Sequence, residues 1–151
     1  MSAVYITPER YASIGTLPIS LVETELRRGS SVHIATFKLH QAEEAHIRVL
    51  NLAIVRILTP GSTPDNINST FGYATVGVYG PINLIYGYML CSPIISVSAR
   101  GIGTVSLNSY ADHAITTPGT YVVAAFNNTG LLPQYAIDMT VCVTGVIKFY
   151  T

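Results

Sequence analysis

The chain has 151 residues, a length that fits one domain with room for a buried core. Charged side chains make up 11% of it, against roughly 25% in an average soluble domain, and eight bases balance eight acids. This balance excludes the strongly basic surface that binds nucleic acids or anionic membranes. No apolar stretch reaches the roughly 20 residues that a membrane-spanning helix needs.

The charges are unevenly distributed. Eleven of the sixteen lie in residues 1–56, and the rest of the chain carries only Asp65, Arg100, Asp112, Asp138 and Lys148. Two explanations remain open for the later part of the chain. Its surface is either rich in uncharged Ser, Thr and Asn, or covered by partner subunits, since large uncharged patches mark interaction sites.

Residues 1–30 are predicted to form an extended arm, because Pro8 and Pro18 interrupt any helix and the apolar residues are dispersed. Only residues 21–28 could form a short helical turn. The arm would either complete the chain's own sheet or lie across a neighbouring molecule. The first residues show no basic segment followed by an apolar one, so we expect no signal peptide and synthesis in the cytoplasm.

Strands are predicted from residue 31 onward. The segment SVHIATFKL is β-branched and aromatic, and a polar turn over residues 40–44 follows it. In the next run, AHIRVLNLAIVRIL, the spacing of Glu44 and Arg48 favours a helix. The period-two placement of Ile47, Val49, Val55 and Ile57 favours a strand, and we predict a strand paired with the preceding one.

Short apolar runs separated by Gly and Pro fill the remainder of the chain. In the last run Met139, Val141 and Val143 alternate with polar neighbours, and Gly145 suggests a bulge. Many short strands between turn signals predict an all-β fold. We therefore expect a single antiparallel β-sandwich, jelly-roll-like, over residues 31–151.

Three patterns invite a chemical interpretation. His33, His40 and His46 surround Glu43 and Glu44, and a hairpin that placed His40 beside His46 could start a metal site. The plainer interpretation is an exposed polar turn, because HQAEEAH is not a helical zinc motif. The chain is therefore predicted to hold no metal.

The other two patterns are weaker. Asp112 and His113 with Ser106 or Ser109 suggest a catalytic triad, but neighbours on a strand point to opposite faces. The glycines of Gly101-Ile102-Gly103 would need a following helix to bind phosphate, and a strand follows instead. We predict a non-enzyme with no catalytic residues and no cofactor.

Cysteine and asparagine motifs give little further direction. Cys91 and Cys142 both lie in strand-like runs, and without a secretion signal two reduced, buried thiols are expected. The Asn-x-Ser/Thr matches at Asn68 and Asn127 then carry little meaning.

Tyrosine is the abundant aromatic residue, with ten Tyr and no Trp. Tyr73, Tyr79, Tyr86 and Tyr88 lie in an uncharged part of the chain. Ordinary strand packing explains them, but a phenol also suits a protein interface or a carbohydrate site.

The N-terminal arm, the unit TFKLHQAEEAHIRVLNLAIVRIL and the ending PGTYVVAAFNNTG…IDMTVCVTGVIKFY together resemble small β-sandwich structural proteins of tailed bacteriophages, including cyanobacterial phages. The resemblance is especially to head decoration, or cement, proteins. It implies a virion protein on the outer capsid surface that bridges major capsid proteins and neighbouring copies of itself. The alternative is a carbohydrate- or receptor-binding module of a phage tail or fibre.

In the decoration interpretation, residues 1–30 and the terminal strand over residues 146–151 make the contacts, by apolar burial and edge-strand pairing. The expected interface residues are Tyr5, Ile6, Tyr11, Ile14, Tyr79, Tyr86, Tyr88, Lys148 and Tyr150.

Overall fold

The computed structural model describes residues 13–59, 73–82, 93–107, 113–129 and 137–151. These residues form nine strands and no helix, so none of them belongs to a helix that could cross a membrane. The strands are β1 (Ser13–Leu26), β2 (Ser31–Leu39), β3 (Glu44–Ile57), β4 (Ala74–Ile82), β5 (Pro93–Ala99), β6 (Gly103–Leu107), β7 (His113–Ile115), β8 (Gly119–Asn127) and β9 (Met139–Tyr150).

The strands form two antiparallel sheets. Sheet A has the order β1-β9-β3-β6, with the short β7 also pairing with β3, and sheet B has the order β2-β8-β4-β5. The pairs β1–β9, β2–β8, β3–β6 and β4–β5 are nested like one long hairpin folded between β4 and β5. Pairing of β9 with β3 and of β8 with β4 wraps that hairpin into two layers. This is the connectivity of a jelly roll, and the predicted β-sandwich is confirmed.

The core lies between the sheets, where each strand contributes every second side chain. Leu50 and Leu52 of β3 are fully buried, as is Val123 of β8. Phe37 of β2 joins the two layers, because its ring stacks on Tyr121 of sheet B at 5.2 Å and meets Phe149 of sheet A edge-on at 5.4 Å. Aromatic pairs of this geometry add stability beyond their buried area.

Part of the predicted arm belongs to the sandwich. β1 runs antiparallel to β9 from the pair Ser13–Tyr150 to the pair Leu26–Met139, so residues 13–26 complete the chain's own sheet and form no helical turn. Ile19 and Leu26 are each 2% exposed. Burying two such side chains contributes roughly 1.5–3 kcal/mol each, which explains why this segment joins the core. Residues 1–12 lie outside the described residues.

The run after the polar turn is a strand, as predicted, but its predicted pairing is wrong. β2 lies in sheet B and β3 in sheet A, so the turn over residues 40–43 crosses between layers and makes no hairpin. Within that turn the Glu43 carboxylate accepts a hydrogen bond from the backbone N–H of His40 at 2.6 Å, and Ala42 has a φ of 66°. β3 pairs instead with β9 and β6, partners that lie far along the chain.

β9 is a central strand, which corrects two predictions. Its backbone pairs with β1 on one side and β3 on the other, so the segment over residues 146–151 has no free edge for pairing between subunits. Gly145 is not a bulge. Of the two irregularities between β3 and β9, the one near Gly145 lies in β3, between Ile47 and Val49. Gly145 is required because a Cβ there would lie 2.7 Å from the Val49 carbonyl oxygen.

A polar network closes the corner of the sandwich where β1 ends and β8 ends. The Asn127 side chain is 1% exposed, and its Nδ2 donates to the carbonyl oxygens of Leu26 and Ile137 at 2.8 and 2.7 Å. Its Oδ1 accepts from the Thr129 backbone N–H and hydroxyl. The backbone of Asn127 also bonds to Gly29 and Ser30 in the β1–β2 turn. Asn127 is therefore a structural side chain and no accessible glycan acceptor.

Candidate functional site

The outer face of sheet B carries a patch of small and aromatic side chains. β4 and β8 are its central strands, and their register places Gly77 opposite Ala124 and Tyr79 opposite Val122. We call this patch the aromatic face. It consists of the outward-facing residues Thr75, Gly77, Tyr79, Val122, Ala124 and Phe126.

The Tyr79 ring lies over Gly77. A Cβ at Gly77 would be 3.0 Å from both Cε2 and Cζ of Tyr79, so only glycine leaves room for the ring at this position. Phe126 meets the Tyr79 ring edge-on, with centroids 5.3 Å apart. Val122 and Ala124 beneath are 3% and 0% exposed, whereas both rings remain partly exposed. The rings thus present apolar area to a partner.

The surroundings of the aromatic face carry little charge. Ser96 and Ser98 flank it on β5. On β2 it is flanked by Thr36 and by the exposed His33, opposite Ala124; Lys38 lies farther along β2, toward the turn. Burial raises the pKa of the Tyr79 phenol above its usual value, so the group is neutral at physiological pH. A partner that covers this face would therefore bury few ions, and the free-energy cost of desolvating them would be small.

The outer face of sheet A carries a different cluster. Glu44 and His46 lie two residues apart on β3, and His46 Nε2 is 3.0 Å from Glu44 Oε2. Both are buried, at 6% and 2% exposed, and Tyr150 meets the imidazole edge-on at 4.8 Å. Among the described residues the enclosed His46 Nδ1 has no hydrogen-bond partner, which costs roughly 1–3 kcal/mol. Lys148 lies opposite His46 in the register.

The structure separates the three histidines that sequence analysis grouped. His33 is exposed on β2 of sheet B, 2.7 Å from the Thr36 hydroxyl, and His40 is exposed in the turn, while His46 is buried on sheet A. The hairpin that could have placed His40 beside His46 does not form, because β2 and β3 lie in different sheets. No group of three metal-ligating side chains is found among the residues that the structure describes.

The structure also describes part of the glycine pattern, of the possible triad and of the cysteine and asparagine motifs. Gly101 has a φ of 74° in a tight turn, and β6 follows it, so this segment precedes no helix. His113 begins β7 and pairs with Ile47. Asp112 and Ser109 lie outside the described residues. Cys142 is a free, half-buried thiol on the outer face of sheet A, not in the core, and Cys91 and Asn68 lie outside the described residues.

Four of the nine expected interface residues lie among the residues that the structure describes. Tyr79 lies in the aromatic face, and Ile14, 48% exposed, lies at the start of β1. Lys148 is half-buried, and Tyr150 is only 5% exposed because it packs against His46, so Tyr150 offers little contact area. The remaining five lie outside the described residues: Tyr5, Ile6, Tyr11, Tyr86 and Tyr88.

Sequence reasoning missed Phe126 and the Glu44–His46 pair. Two residues at positions i and i+2 of a strand share a face, so the pair could have been found once β3 was predicted. Phe126 could not, because its contact with Tyr79 depends on the register between β4 and β8.

No protein-family model matches the chain, and no curated protein matches it. Among solved structures, it is similar to PliG of Aeromonas hydrophila, a periplasmic inhibitor of g-type lysozyme, with 11% identity and a TM-score of 0.43 over 89% of this chain and 88% of that one. It is also similar to FlhE, with 17% identity and a TM-score of 0.35 over 90% and 96% of the two chains. These similarities are too low to transfer either protein's activity to this chain.

Proposed function

We propose that this chain is a non-catalytic structural protein that binds other polypeptides through the aromatic face of sheet B, as a decoration protein on the outer surface of a phage head. In this function it bridges major capsid proteins and neighbouring copies of itself. The observation that carries the proposal is the aromatic face, where the partly exposed rings of Tyr79 and Phe126 lie over small residues with little charge around them.

The face supports protein binding by its chemistry. Tyrosine is enriched in interface hot spots, because it adds a large, rigid apolar area and a hydroxyl group. Truncating a hot-spot tyrosine costs about 2 kcal/mol or more, close to thirty-fold in affinity. A repeated capsid lattice would multiply such contacts without requiring high affinity at each one.

The second candidate is a carbohydrate- or receptor-binding module, as on a phage tail or fibre. It is supported by the Tyr79 ring, which lies over Gly77 and remains partly exposed, since an accessible aromatic ring can stack on a sugar. Both functions use the same residue, so the binding partner separates them.

The test uses shells assembled from the major capsid protein of the same genome. Wild-type chain should co-sediment with the shells, and Tyr79→Ala should reduce the bound fraction strongly at equal concentration. Tyr73→Ala, which removes a half-buried tyrosine beside Arg100, six residues before Tyr79 and outside the residues of the aromatic face, is the matched control. Circular dichroism would check that both variants fold.

Two results would count against the proposal. If wild-type chain does not bind the shells, the decoration function is wrong. If the chain instead binds a glycan on an array in a Tyr79-dependent manner, the carbohydrate-binding function replaces it.

A further inference from the structure

The four sheet edges differ in how they are protected against pairing with other strands. Unprotected edges invite new strands, and native proteins block them with proline, charge or bulges. β1 has all three, with Pro18 and Glu23 exposed and its register with β9 broken twice. β2 has a bulge between His33 and Ala35 and an exposed Lys38.

β5 is a differently built edge. Its sequence PIISVSA contains no charged residue, and among the described residues it pairs only with β4. From Ile95 to Ala99 its register with β4 is regular, and its single irregularity lies near Pro93 at the start. The other edge on this side includes β6, which has five residues against seven in β5.

The two faces of β5 continue those of sheet B. Val97 and Ala99 are buried toward the core, whereas Ser96 and Ser98 are exposed on the outer face. The Ser98 hydroxyl is 3.5 Å from that of Thr75 on β4. A strand added beside β5 would therefore extend both the apolar inner face and the hydroxyl-rich outer face.

We propose that β5 is a self-association edge, at which two copies of this chain pair their β5 strands antiparallel about Val97. The two four-stranded sheets then join into one sheet of eight strands. In this register Val97 faces its own copy, Ile95 faces Ala99 and Ser96 faces Ser98. Inner residues meet inner residues and outer residues meet outer residues along the whole regular stretch.

A second copy fits this edge because the edge carries no charge. A two-fold interface repeats every charge of one copy in the other, so a single charge near the axis lies close to its like. β5 has none, and the nearest charged side chain, Arg100, lies beyond the end of the strand with its guanidinium 5.6 Å from the Tyr73 ring centroid. The inference shares with the proposed function the premise that this chain binds neighbouring copies of itself.

The experiment places charges at the two exposed serines. In S96E/S98E the register puts the carboxylate at position 96 opposite the carboxylate at position 98 of the other copy, twice, and two like-charge pairs should weaken dimerisation about ten-fold. In S96E/S98K the same positions form two pairs of opposite charge, so the dimer should persist with a dissociation constant within about three-fold of wild type. Ser20→Glu, at an exposed serine of β1, is the control and should leave dimerisation unchanged.

The readout is the monomer–dimer equilibrium by analytical ultracentrifugation, with circular dichroism confirming the fold. Mixing S96E/S98E with S96K/S98K should give a mixed dimer that is tighter than the dimer either variant forms alone. A wild-type monomer at the highest concentration tested would overturn the proposal. So would a dimer that responds equally to S96E/S98E and S96E/S98K. Neither outcome depends on capsid shells, so a failure here is distinct from failure of the shell-binding test.

Discussion

The two sides of the sandwich differ in how much charge their edge strands carry. On one side the edges β1 and β2 and the turn between them carry Glu23, Glu25, Arg27, Arg28 and Lys38; on the other, β5, β6 and their turn carry only Arg100. Both sides end the same two sheets, so the core does not explain the difference. The charged side is protected against pairing with other strands, and in our proposal the uncharged side is covered by a second copy.

The largest effect should be on stability, from removing the hydrogen bonds that Asn127 makes at the corner of the charged side. Asn127→Ala removes the amide that bonds Leu26 and Ile137 and leaves both buried carbonyl oxygens without that donor. We expect the free energy of unfolding to fall by about 3 kcal/mol, measured by urea denaturation.

Asn128→Ala is the matched control for that corner. Its side chain is exposed and donates one hydrogen bond, to the Thr75 hydroxyl at 2.9 Å, so the loss should stay under about 1 kcal/mol. Equal losses in the two variants would show that Asn127 is not the anchor of this side.

A smaller effect should follow from removing the protection of β1. The variant P18T/E23T/E25T restores a backbone N–H and removes two carboxylates from the edge, so the charged side should come to resemble the other one. We expect a several-fold rise in self-association, followed by light scattering against time. Ser20→Thr adds β propensity without removing protection and should leave scattering unchanged.

The smallest effect is a pH dependence of stability that comes from Tyr79 on the aromatic face and Tyr121 in the core. Burial raises the pKa of Tyr79 and of Tyr121 in the folded chain above the usual value near 10. As pH rises past 10 the unfolded chain loses these protons first, so stability is full below that pH and declines above it. The melting temperature should fall by a few degrees from pH 9 to pH 11, and less so in Tyr79→Phe.

Local patterns were enough to predict the strands. Period-two alternation identified β9, and it correctly favoured a strand over a helix for β3 despite the Glu44–Arg48 spacing. The fold class followed from the same signal, since many short strands with turn residues between them must bury their apolar faces against one another.

Pairing was beyond the sequence because it is decided between distant segments. Nothing near β3 indicates that its partner is β9 and not β2, and nothing near Gly145 reveals that the bulge lies in β3. The aromatic face has the same origin, because Tyr79 and Phe126 become neighbours only through the β4–β8 register. The sequence shows that the β5 segment has no charged residue, but it does not show that this segment lies at the edge of a sheet.

The register of β1 against β9 has a practical consequence for engineering. Ser13 and Tyr150 are cross-strand partners, so the first and last strands of the sandwich finish side by side at one pole. With residues 1–12 removed, a few glycine and serine residues would suffice to join Ser13 to Tyr150, and the exposed turn at Ile102 could supply new termini. Such a circular permutant would move any fused reporter to the β5–β6 side, where it would obstruct the approach of another molecule.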